Sequence, residues 1–473
     1  MSEQSSLSPR SGWRGERSLE QRADSIRLRR SLSLLVMTLL APGSAQLVAG
    51  NKRVGRLALA CWLVLVAIVL VVAVGGLVDR TWLLTLGTNA TLLLIVGLAL
   101  PVLAVAWVLL LSDAWRLGDP LRLRRQHRAA TVGLNTALCM VTAGALLFSA
   151  HLVAVQRDFI LTVFNASAAS DPHAGRYNVL LLGGDSGKDR WGLRPDSINI
   201  ASIDEQTGRT VLFSLPRNME NVPFAEGGVM AQQFPDGFDC DGCYLNGVYT
   251  WAHDHQELWP QEVADVGVEA TKEAVEGITG LRINYYAMVN MAGFTDLVDA
   301  VGGVQVDVEK RITMGAIGKE PEGYIEPGLQ RLDGNQALWY ARSRVDDDDY
   351  ARMARQKCVM TAMLHQLSPS NVVLKVQDIA SAGKRLLTTD IPASELDTFI
   401  ELALKARSKP VSSVSFVPPK VLTYDPDFVL IRDLVDEALA KAEGDLEPTA
   451  GNTPRKRRSA SARNTSDDLA SSC

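Results

Sequence analysis

The run YNVLLLGGDS, residues 177–186, has the pattern of a short buried strand that ends in a glycine turn. Its first six residues are mostly apolar, the pair Gly183-Gly184 stops the run, and Asp185 follows at once. A short apolar run bounded by glycines is typical of a strand whose last residues enter a loop. The stretch therefore predicts a central strand with a carboxylate at its end.

Further strands and helices follow along the same part of the chain. Residues 197–203 and 210–215 have strand patterns and are joined by the turn DEQTG at 204–208. Other segments alternate like strands or have helical periodicity, namely 271–277, 291–300, 304–308, 352–367 and 413–417. Because strands and helices intermingle, we expect an α/β fold with a layered mixed sheet and helices on both faces.

A second informative stretch is YARSRVDDDDYARMARQ, residues 340–356. On an extended backbone Arg342 and Arg344 would point to the same face, and a following helix would place Arg352 and Gln356 one turn apart. Guanidinium groups bind phosphate oxygens two at a time. Taken alone, such a charge run is more often a solvated helix end with surface ion pairs. Its importance depends on what else lies near it.

Three other charged residues are expected at the ends of the predicted strands. Asp185 and Asp196 lie beside strand ends, and Arg217 follows the third strand directly. A small number of carboxylates suits Mg²⁺, which takes further oxygens from substrate phosphates. Each aspartate alone is more often a turn or cap residue. If Arg217, Arg342 and Arg344 converge on them, however, the set forms a phosphate clamp.

The first third of the chain is organised for a membrane. Residues 57–78, 89–111 and 131–155 carry no charge and are long enough to span a bilayer as helices. Residues 31–50 are apolar but are interrupted at Pro42-Gly43, and a cluster of basic residues follows them. We therefore expect a re-entrant or interfacial segment. The membrane region is thus 31–155, in a multi-pass protein of the cell membrane.

The parts outside the membrane follow from this topology. The arginine-rich residues 1–30 are predicted to be a disordered cytoplasmic tail, and everything after residue 156 lies outside. Residues 156–176 form a linker, 177–443 an extracytoplasmic catalytic domain and 444–473 a disordered tail. The net charge of −5 argues against nucleic acid as a partner. A structural disulfide is expected outside, either within Cys240 and Cys243 or from one of them to Cys358.

Several spaced motifs together resemble the LytR-CpsA-Psr family, and the multispan architecture resembles its actinobacterial members. These motifs, in order, are NVLLLGGDS at 178–186, RPDS at 194–197, SLPR at 214–217, LVDAVGGV at 297–304, LDG at 332–334 and the arginine stretch at 340–356. The resemblance implies an extracytoplasmic α/β domain with a hydrophobic cavity for a polyprenyl chain. It also implies transfer of a glycopolymer from polyprenyl pyrophosphate to peptidoglycan, with Mg²⁺ as cofactor.

The resemblance also assigns expected roles to single residues. Those roles are metal binding for Asp185 and Asp196, catalysis for Arg217, Arg342, Arg344 and Asp196, and substrate binding for Arg194, Asp349, Arg352, Gln356 and Asn246. Two positions depart from the family pattern. Asn218 stands where an aspartate is common, and Tyr244 stands where a lysine is common.

The leading hypothesis is a membrane-anchored phosphotransferase that forms a phosphodiester between the glycopolymer and peptidoglycan. Its partners would be the polyprenyl-pyrophosphate-linked glycopolymer, peptidoglycan and membrane lipid, without nucleic acid. Two alternatives stay open at this point. One is a polyprenyl pyrophosphate phosphatase, for which water is the acceptor. The other is a non-catalytic sensor that binds a polyprenyl lipid, which the changes at Asn218 and Tyr244 leave open.

Overall fold

The protein is described here from a computed structural model, in which residues 12–78, 82, 86–164, 169–184, 194–366, 387–407 and 409–444 are placed. The chain divides into two compact units, Met1–Arg157 and Asp158–Cys473. We call the first the helical unit and the second the sheet unit.

The helical unit consists of long helices. They are α1 (Gly12–Leu40), α2 (Ser44–Ala49), α3 (Lys52–Val78), α4 (Ala90–Leu117) and α5 (Arg125–Val163), the last of which continues into the sheet unit. Within the placed part of the chain, α3, α4 and α5 are long and apolar enough to cross a membrane. Each contains one of the predicted spans almost completely. These helices are suited to anchor the chain in a membrane.

The structure differs from the predicted tail at the start of the chain, because α1 begins at Gly12 rather than near residue 31. Residues 16–40 contain neither glycine nor proline and are rich in good helix formers, so the apolar helix extends backwards. The predicted break is present: Gly43 has φ of 94°, and a Cβ there would lie 2.6 Å from the carbonyl oxygen of Gly55. The position of residues 31–50 relative to a bilayer stays a prediction.

The sheet unit is built on a mixed six-stranded sheet. Its strands are β1 (Arg176–Gly184), β2 (Pro195–Asp204), β3 (Thr210–Leu215), β4 (Tyr285–Asn290), β9 (Leu387–Thr389) and β10 (Ser412–Ser415). Their order in the sheet is β10-β3-β2-β1-β4-β9. The pairs β1–β2, β2–β3 and β4–β9 are antiparallel, whereas β1–β4 and β3–β10 are parallel. The predicted mixed sheet is confirmed.

Smaller elements complete the sheet unit. Two hairpin-like pairs are formed by β5 (Val304–Val308) with β8 (Gly328–Leu332) and by β6 (Ile312–Met314) with β7 (Gly323–Ile325). The helices are α6 (Val229–Gln233), α7 (Gly247–Asp254), α8 (Val266–Thr279), α9 (Met291–Val301), α10 (Gly334–Arg342), α11 (Asp349–Gln366), α12 (Leu396–Arg407) and α13 (Phe428–Glu443). Cys240 and Cys243 form a disulfide with each other, which is the first of the two predicted pairings.

The two faces of the central sheet are covered by different helices. On one face, Leu180, Ile200 and Phe213 belong to the largest core, which also contains residues of α7, α8 and α13. On the other face, Ala201 and Leu212 pack against Met360 of α11. Successive strand residues point to opposite faces of a sheet, so these two sets of residues lie on different faces. Helices therefore cover both sides of the sheet. The predicted fold class, an α/β layered sheet, is confirmed.

A second core supports the arginine stretch. It joins side chains of α9, β5, β7 and β8 with Ala337 and Tyr340 of α10 and with Val359 of α11. These residues are buried, so α10 and α11 are fixed against one another and against the two small strand pairs. The arginines carried by the two helices consequently start from rigid elements.

Candidate active site

The helix that carries Arg342 begins at a strong cap. Asp333 accepts a hydrogen bond from the backbone N–H of Gln336, and the Gln336 side chain accepts one from the backbone N–H of Asp333. The backbone N–H of Gly334 also donates to Asp299 at 2.7 Å. A Cβ at residue 334 would lie 2.2 Å from the carbonyl oxygen of Thr295, so glycine is required for this close approach. The LDG motif thus has a structural role.

The expected extended backbone at Arg342 and Arg344 is wrong. The capping box at Asp333 starts α10, and the helix continues through Arg342 as its last residue. The two arginines consequently have different surroundings. Arg342 lines a cavity and its guanidinium lies 5.5 Å from the centre of the Trp339 ring, whereas Arg344 is partly exposed and lies 3.9 Å from Asp349.

The four consecutive aspartates divide into two groups. Asp346 accepts from the backbone N–H of Thr313 at 2.7 Å, Asp347 pairs with Arg355 at 2.6 Å, and Asp348 accepts from the first turn of α11. These three carboxylates fasten the turn between α10 and α11. Asp349 instead joins the arginines, and it is the only one of the four with several arginine partners among the placed residues. The family resemblance likewise assigns a site role to Asp349 alone among the four, and its part in substrate binding stays a prediction.

Asp196 and Asp349 connect arginines that come from distant parts of the chain. Arg217 pairs with Asp196 and lies 3.4 Å from Asp349. Arg352 donates to Asp349 at 3.0 Å and to the backbone carbonyl of Asp196 at 3.1 Å. We call Arg217, Arg342, Arg344 and Arg352 together with these two carboxylates the arginine cluster. Arg217, Arg344 and Arg352 contact these carboxylates, and Arg342 lines the same cavity as Asp196, so four guanidiniums against two carboxylates give the cluster an excess of positive charge.

Arg352 is the most deeply placed member of the cluster. Its side chain is 3% exposed, and its Nε–H has no hydrogen-bond partner among the placed residues. Burial lowers the pKa of Arg352 to about 10, and the neighbouring Asp349 opposes this shift. The guanidinium is therefore charged at neutral pH. A buried cation with an unused donor is suited to hold an anion or a water molecule.

A cavity of about 290 Å³ opens beside the cluster. Its walls are mainly apolar and come from β1, β4 and the helices α9, α10 and α11; they include Leu181, Leu182, Gly183, Ala287, Val289, Met291, Phe294, Leu338, Val359 and Met360. Its polar lining residues include Asp196, Arg342, Arg352 and Gln356. The cavity thus combines an apolar interior with a cationic edge, which suits an amphiphile whose head group is anionic.

The remaining predicted site residues are placed in different ways. Gln356 lines the cavity and donates to the carbonyl oxygen of Ala341 at 3.2 Å. Asn246 precedes α7, and its backbone N–H donates to the carbonyl oxygen of Arg217 at 3.0 Å, so it supports that arginine through the backbone. Arg194 is exposed directly before β2. Asp185 lies outside the placed residues.

The two departures from the family pattern are Asn218, which directly follows Arg217 of the cluster, and Tyr244. The Asn218 side chain donates to the hydroxyl of Thr423 at 3.4 Å, and the Tyr350 hydroxyl lies 3.3 Å from the same atom. Tyr244 is 39% exposed.

Sequence reasoning missed Thr423, because it is distant in the chain, and it also missed Lys357. The sequence offers one signal that Lys357 is buried: on a helix it lies on the same face as the apolar residues Met353 and Met360.

The donor set at the cluster is compatible with Mg²⁺. In the placed part of the chain there is no group of three or more His, Cys, Asp or Glu side chains that could enclose a metal. Mg²⁺ commonly uses one or two carboxylates together with water and substrate phosphates. Asp196 lines the cavity and its side chain is 27% exposed, so it can supply such a ligand.

Comparison with known proteins gives the following relatives. The chain is 30% identical over 239 residues to polyisoprenyl-teichoic acid–peptidoglycan teichoic acid transferase TagU of Enterococcus faecalis, covering 49% of this chain and 66% of that protein. It is 29% identical to Biofilm regulatory protein A of Streptococcus mutans, with 46% and 50% covered. It is 30% identical to cell wall biosynthesis protein LcpA of Corynebacterium glutamicum, with 46% and 45% covered. The chain therefore spans between about half and two thirds of these relatives.

Solved structures of similar proteins include TagV of Bacillus subtilis, with 23% identity, a TM-score of 0.42 and coverage of 57% of this chain and 98% of TagV. Another is TagT bound to LIIa-WTA, with 20% identity, a TM-score of 0.39 and coverage of 59% and 94%. The model of the LytR_cpsA_psr family matches residues 153–422, which is more than half of the chain. This protein belongs to the LytR-CpsA-Psr family.

Proposed function

We propose that this protein is a membrane-anchored phosphotransferase that moves a glycopolymer from a polyprenyl pyrophosphate carrier to peptidoglycan. The observation that carries the proposal is the apolar cavity with the arginine cluster at its edge. An isoprenoid chain fits apolar walls, and a pyrophosphate fits an excess of guanidiniums. The printed name of TagU, a transferase that acts between polyisoprenyl-teichoic acid and peptidoglycan, supports the same class of reaction.

In the proposed reaction, a hydroxyl oxygen of peptidoglycan attacks the phosphorus that is linked to the sugar. The bond from this phosphorus to the bridging oxygen breaks, polyprenyl phosphate leaves, and a phosphodiester forms between polymer and wall. The acceptor hydroxyl loses its proton, and Asp196 is the one carboxylate among the placed residues that lines the cavity. Arg217, Arg342 and Arg352 neutralise charge that develops on the phosphate oxygens, and such fixed charges account for most of the catalysis in phosphoryl transfer.

Asp196 would hold Mg²⁺, and Asp185 is its expected partner from the sequence motif. When bound, the cation supplies further charge neutralisation at the pyrophosphate. The arginines keep the head group oriented, and the apolar cavity walls exclude water from the reacting centre. The cavity and the arginine cluster suit the lipid and phosphate parts of the donor and give no indication of its sugars, so the donor glycan stays open.

The proposal includes a multi-pass topology with the sheet unit outside the cell membrane. The three long apolar helices support anchoring, and the basic loops of the helical unit support the cytoplasmic orientation of its connecting segments. This orientation puts the catalytic groups on the same side of the membrane as peptidoglycan. Alkaline phosphatase fused after Gly118 is expected to be inactive, and a fusion after Phe159 is expected to be active.

The decisive experiment follows both products of the reaction. Full-length protein in lipid nanodiscs is incubated with a radiolabelled polyprenyl-pyrophosphate-linked oligosaccharide, peptidoglycan and Mg²⁺. We expect label to become attached to peptidoglycan as polyprenyl phosphate is released in equal amount. Release of phosphorylated oligosaccharide into solution without attachment would instead indicate the phosphatase. Binding without release of polyprenyl phosphate would contradict any transferase activity.

A further inference from the structure

The transfer reaction has a direction, and this direction locates the second substrate. In phosphoryl transfer the attacking and leaving oxygens lie roughly in line, on opposite sides of the phosphorus. The leaving polyprenyl phosphate lies on the side of the apolar cavity, because its isoprenoid chain occupies that cavity. The acceptor hydroxyl must therefore approach the arginine cluster from the side opposite the cavity.

The arginine cluster has such a second side. Arg342 and Arg352 line the cavity, whereas Arg217 and Asp349 are not among the residues that line it in the described part of the chain. Arg217 is nevertheless held within the cluster, because it pairs with Asp196 and lies 3.4 Å from Asp349. The residues around Arg217 and Asp349 therefore form the side of the cluster that does not face the lipid.

Thr423 joins the surroundings of these two residues from a distant part of the chain. Its hydroxyl lies 3.4 Å from the side-chain nitrogen of Asn218 and 3.3 Å from the hydroxyl of Tyr350. Asn218 directly follows Arg217, and Tyr350 directly follows Asp349. Three uncharged polar side chains thus lie together beside the charged cluster.

One polar atom of this group has an unmet requirement. The side-chain carbonyl oxygen of Asn218 is buried and accepts no hydrogen bond from the placed residues. A buried acceptor without a donor costs free energy, so its presence calls for an explanation. Asn218 as a whole is only half-buried, so a rotation of its amide can present this oxygen to a ligand. A ligand rich in hydroxyl groups would supply the donor.

Two exposed tyrosines border the same part of the chain. Residues 217–220 form backbone hydrogen bonds both with residues 245–246 and with Thr423. The residues adjoining these partners in the sequence are Tyr244 and Tyr424, and both are exposed, Tyr424 by 64%. A tyrosine offers an apolar ring face to the C–H groups of a sugar and a hydroxyl to its polar groups.

We propose that this uncharged surface is the subsite for the acceptor sugar of peptidoglycan. We call it the acceptor surface; it consists of Asn218, Tyr244, Tyr350, Thr423 and Tyr424. It binds the glycan on the side of the cluster opposite the lipid, so that an acceptor hydroxyl reaches the phosphorus in line with the leaving group. Because its side chains carry no charge, it suits a neutral sugar rather than a second phosphate. The inference rests on the proposed function, since it names where the second substrate of that function binds.

The test measures glycan binding directly. The tetramer of N-acetylglucosamine, a soluble and neutral probe of the same sugar class, is titrated calorimetrically into full-length protein in nanodiscs that are loaded with geranyl pyrophosphate. We expect Tyr424→Ala to bind the tetramer about tenfold more weakly than wild type, as for loss of one stacking ring. Its affinity for geranyl pyrophosphate and its thermal unfolding midpoint should be unchanged, because the ring is exposed.

The matched control is Tyr324→Ala. Tyr324 of β7 is also an exposed tyrosine, but its ring lies 3.6 Å from the guanidinium of Arg311 and is not part of the acceptor surface. This variant should bind the tetramer as wild type does. A second variant, Asn218→Leu, has a similar shape and removes the unpartnered oxygen, so it should weaken tetramer binding and leave the affinity for geranyl pyrophosphate unchanged.

Unchanged tetramer affinity in Tyr424→Ala would overturn the inference, and so would equal weakening in Tyr324→Ala or no binding to wild type. Weaker binding of geranyl pyrophosphate together with a lower midpoint in Tyr424→Ala would also overturn it, because this indicates a structural role. The transfer assay separates the two proposals. Transfer at the wild-type rate in Tyr424→Ala would leave the proposed function standing without the acceptor surface, whereas tetramer binding that depends on Tyr424 but no transfer would support the surface and contradict the function.

Discussion

The two faces of the central sheet differ although the same strands supply both. One face presents Leu180, Ile200 and Phe213 to a wide apolar core. The other presents a row of small polar residues beneath the helix that carries Arg352 and Lys357. We call this row the polar stripe; it consists of Ser197, Asn199, Ser214, Ser413 and Ser415. Strands of four to ten residues thus serve two purposes at once. The apolar face holds the unit together, and the opposite face contributes to the site.

This division teaches where substitutions should affect stability and where they should affect function. An apolar side chain on the core face can be removed only at the cost of its packing. A charged side chain above the polar stripe contributes little to packing and can be removed with a smaller effect on folding. Substitutions of Phe213 and Arg217 are therefore tested for both stability and function, and a mixed result would weaken the division.

The largest effect is expected on the core face. Phe213 is fully buried and its ring stacks on Phe416 at 6.2 Å between ring centres. Phe213→Ala should lower the free energy of unfolding of the sheet unit by about 3–5 kcal/mol, because it removes buried surface and leaves a cavity. Urea unfolding of full-length protein in nanodiscs, followed by near-ultraviolet circular dichroism, measures this loss.

The milder substitution Phe213→Leu is the matched variant. It should lower the free energy of unfolding by less than about half as much as Phe213→Ala. At a temperature where both variants are folded, their affinity for geranyl pyrophosphate should equal that of wild type. A selective loss of pyrophosphate affinity in the folded Phe213→Ala protein would mean that the core face also supports the site directly, and the division between the faces would be wrong.

The next effect is expected in the arginine cluster. Arg217 pairs with Asp196 and lies 3.4 Å from Asp349, so Arg217→Gln removes the charge that links two strands to α11. Transfer to peptidoglycan should fall by a factor of about 10²–10³, as for loss of one preorganised donor at a transition state. The unfolding midpoint in urea should change little by comparison.

Arg311→Gln provides the control for this change. Arg311 is 55% exposed and pairs with Glu326 at 3.2 Å, so it is also an arginine with a carboxylate partner. Exposed pairs contribute little, and transfer should stay at the wild-type rate. Equal loss of transfer in both variants would indicate a general effect of surface charge rather than a role for the cluster.

The third effect is a pH dependence of stability that arises from Lys357. Its pKa is about 8 in the folded protein and is 10.5 ordinarily, so between these values the unfolded chain binds more protons. The free energy of unfolding should therefore rise with pH, by up to about 1.4 kcal/mol per pH unit. Urea unfolding of wild type and Lys357→Met between pH 8 and 9.5 measures the difference.

This window ends below the pKa values of the buried tyrosines, such as Tyr286, which are raised by burial and would act in the opposite direction at higher pH. Lys357→Met should lack the rise that wild type shows. The same slope in both proteins would mean that another group is responsible, and Lys357 would then not carry a charge of the kind described. The result bears on folding alone and needs no substrate.

Sequence patterns predicted much of the fold because its strands alternate cleanly. The bounds of β3 are those expected from the sequence, and β1, β2 and α9 differ from expectation by one or two residues at their ends. The three apolar membrane spans were equally clear from the sequence. The extent of α1 was missed, because a charged segment without glycine or proline has no internal signal that separates a tail from a helix.

The site was less predictable, because it depends on contacts between distant segments. The order of motifs indicated that Arg217 and Asp196 belong together, but not that Asp349 is the acid that joins the arginines. The backbone at Arg342 is helical because the cap at Asp333 starts α10, which the spacing of the two arginines does not indicate. Lys357 was overlooked because a lysine within a helix is usually exposed. Only packing against β10 makes it unusual.

The smallest predicted effect compares two neighbouring serines of the polar stripe. Ser214 and Ser415 lie opposite each other on β3 and β10, and both are buried. The Ser214 hydroxyl donates to Asn199 at 2.7 Å, whereas the Ser415 hydroxyl has no hydrogen-bond partner among the placed residues. Ser214→Ala should cost about 1–2 kcal/mol, because it leaves a buried carbonyl unsatisfied. Ser415→Ala should be neutral or slightly stabilising, because it removes an unpaired hydroxyl.

Urea unfolding of the two variants under identical conditions measures this difference, and the substitutions are chemically the same. If Ser214→Ala is the more stable variant, the stripe is better solvated than its burial indicates. If both variants lose stability equally, a bound water must pair with Ser415. The polar stripe would then be a hydrated channel beneath α11 rather than a dry support.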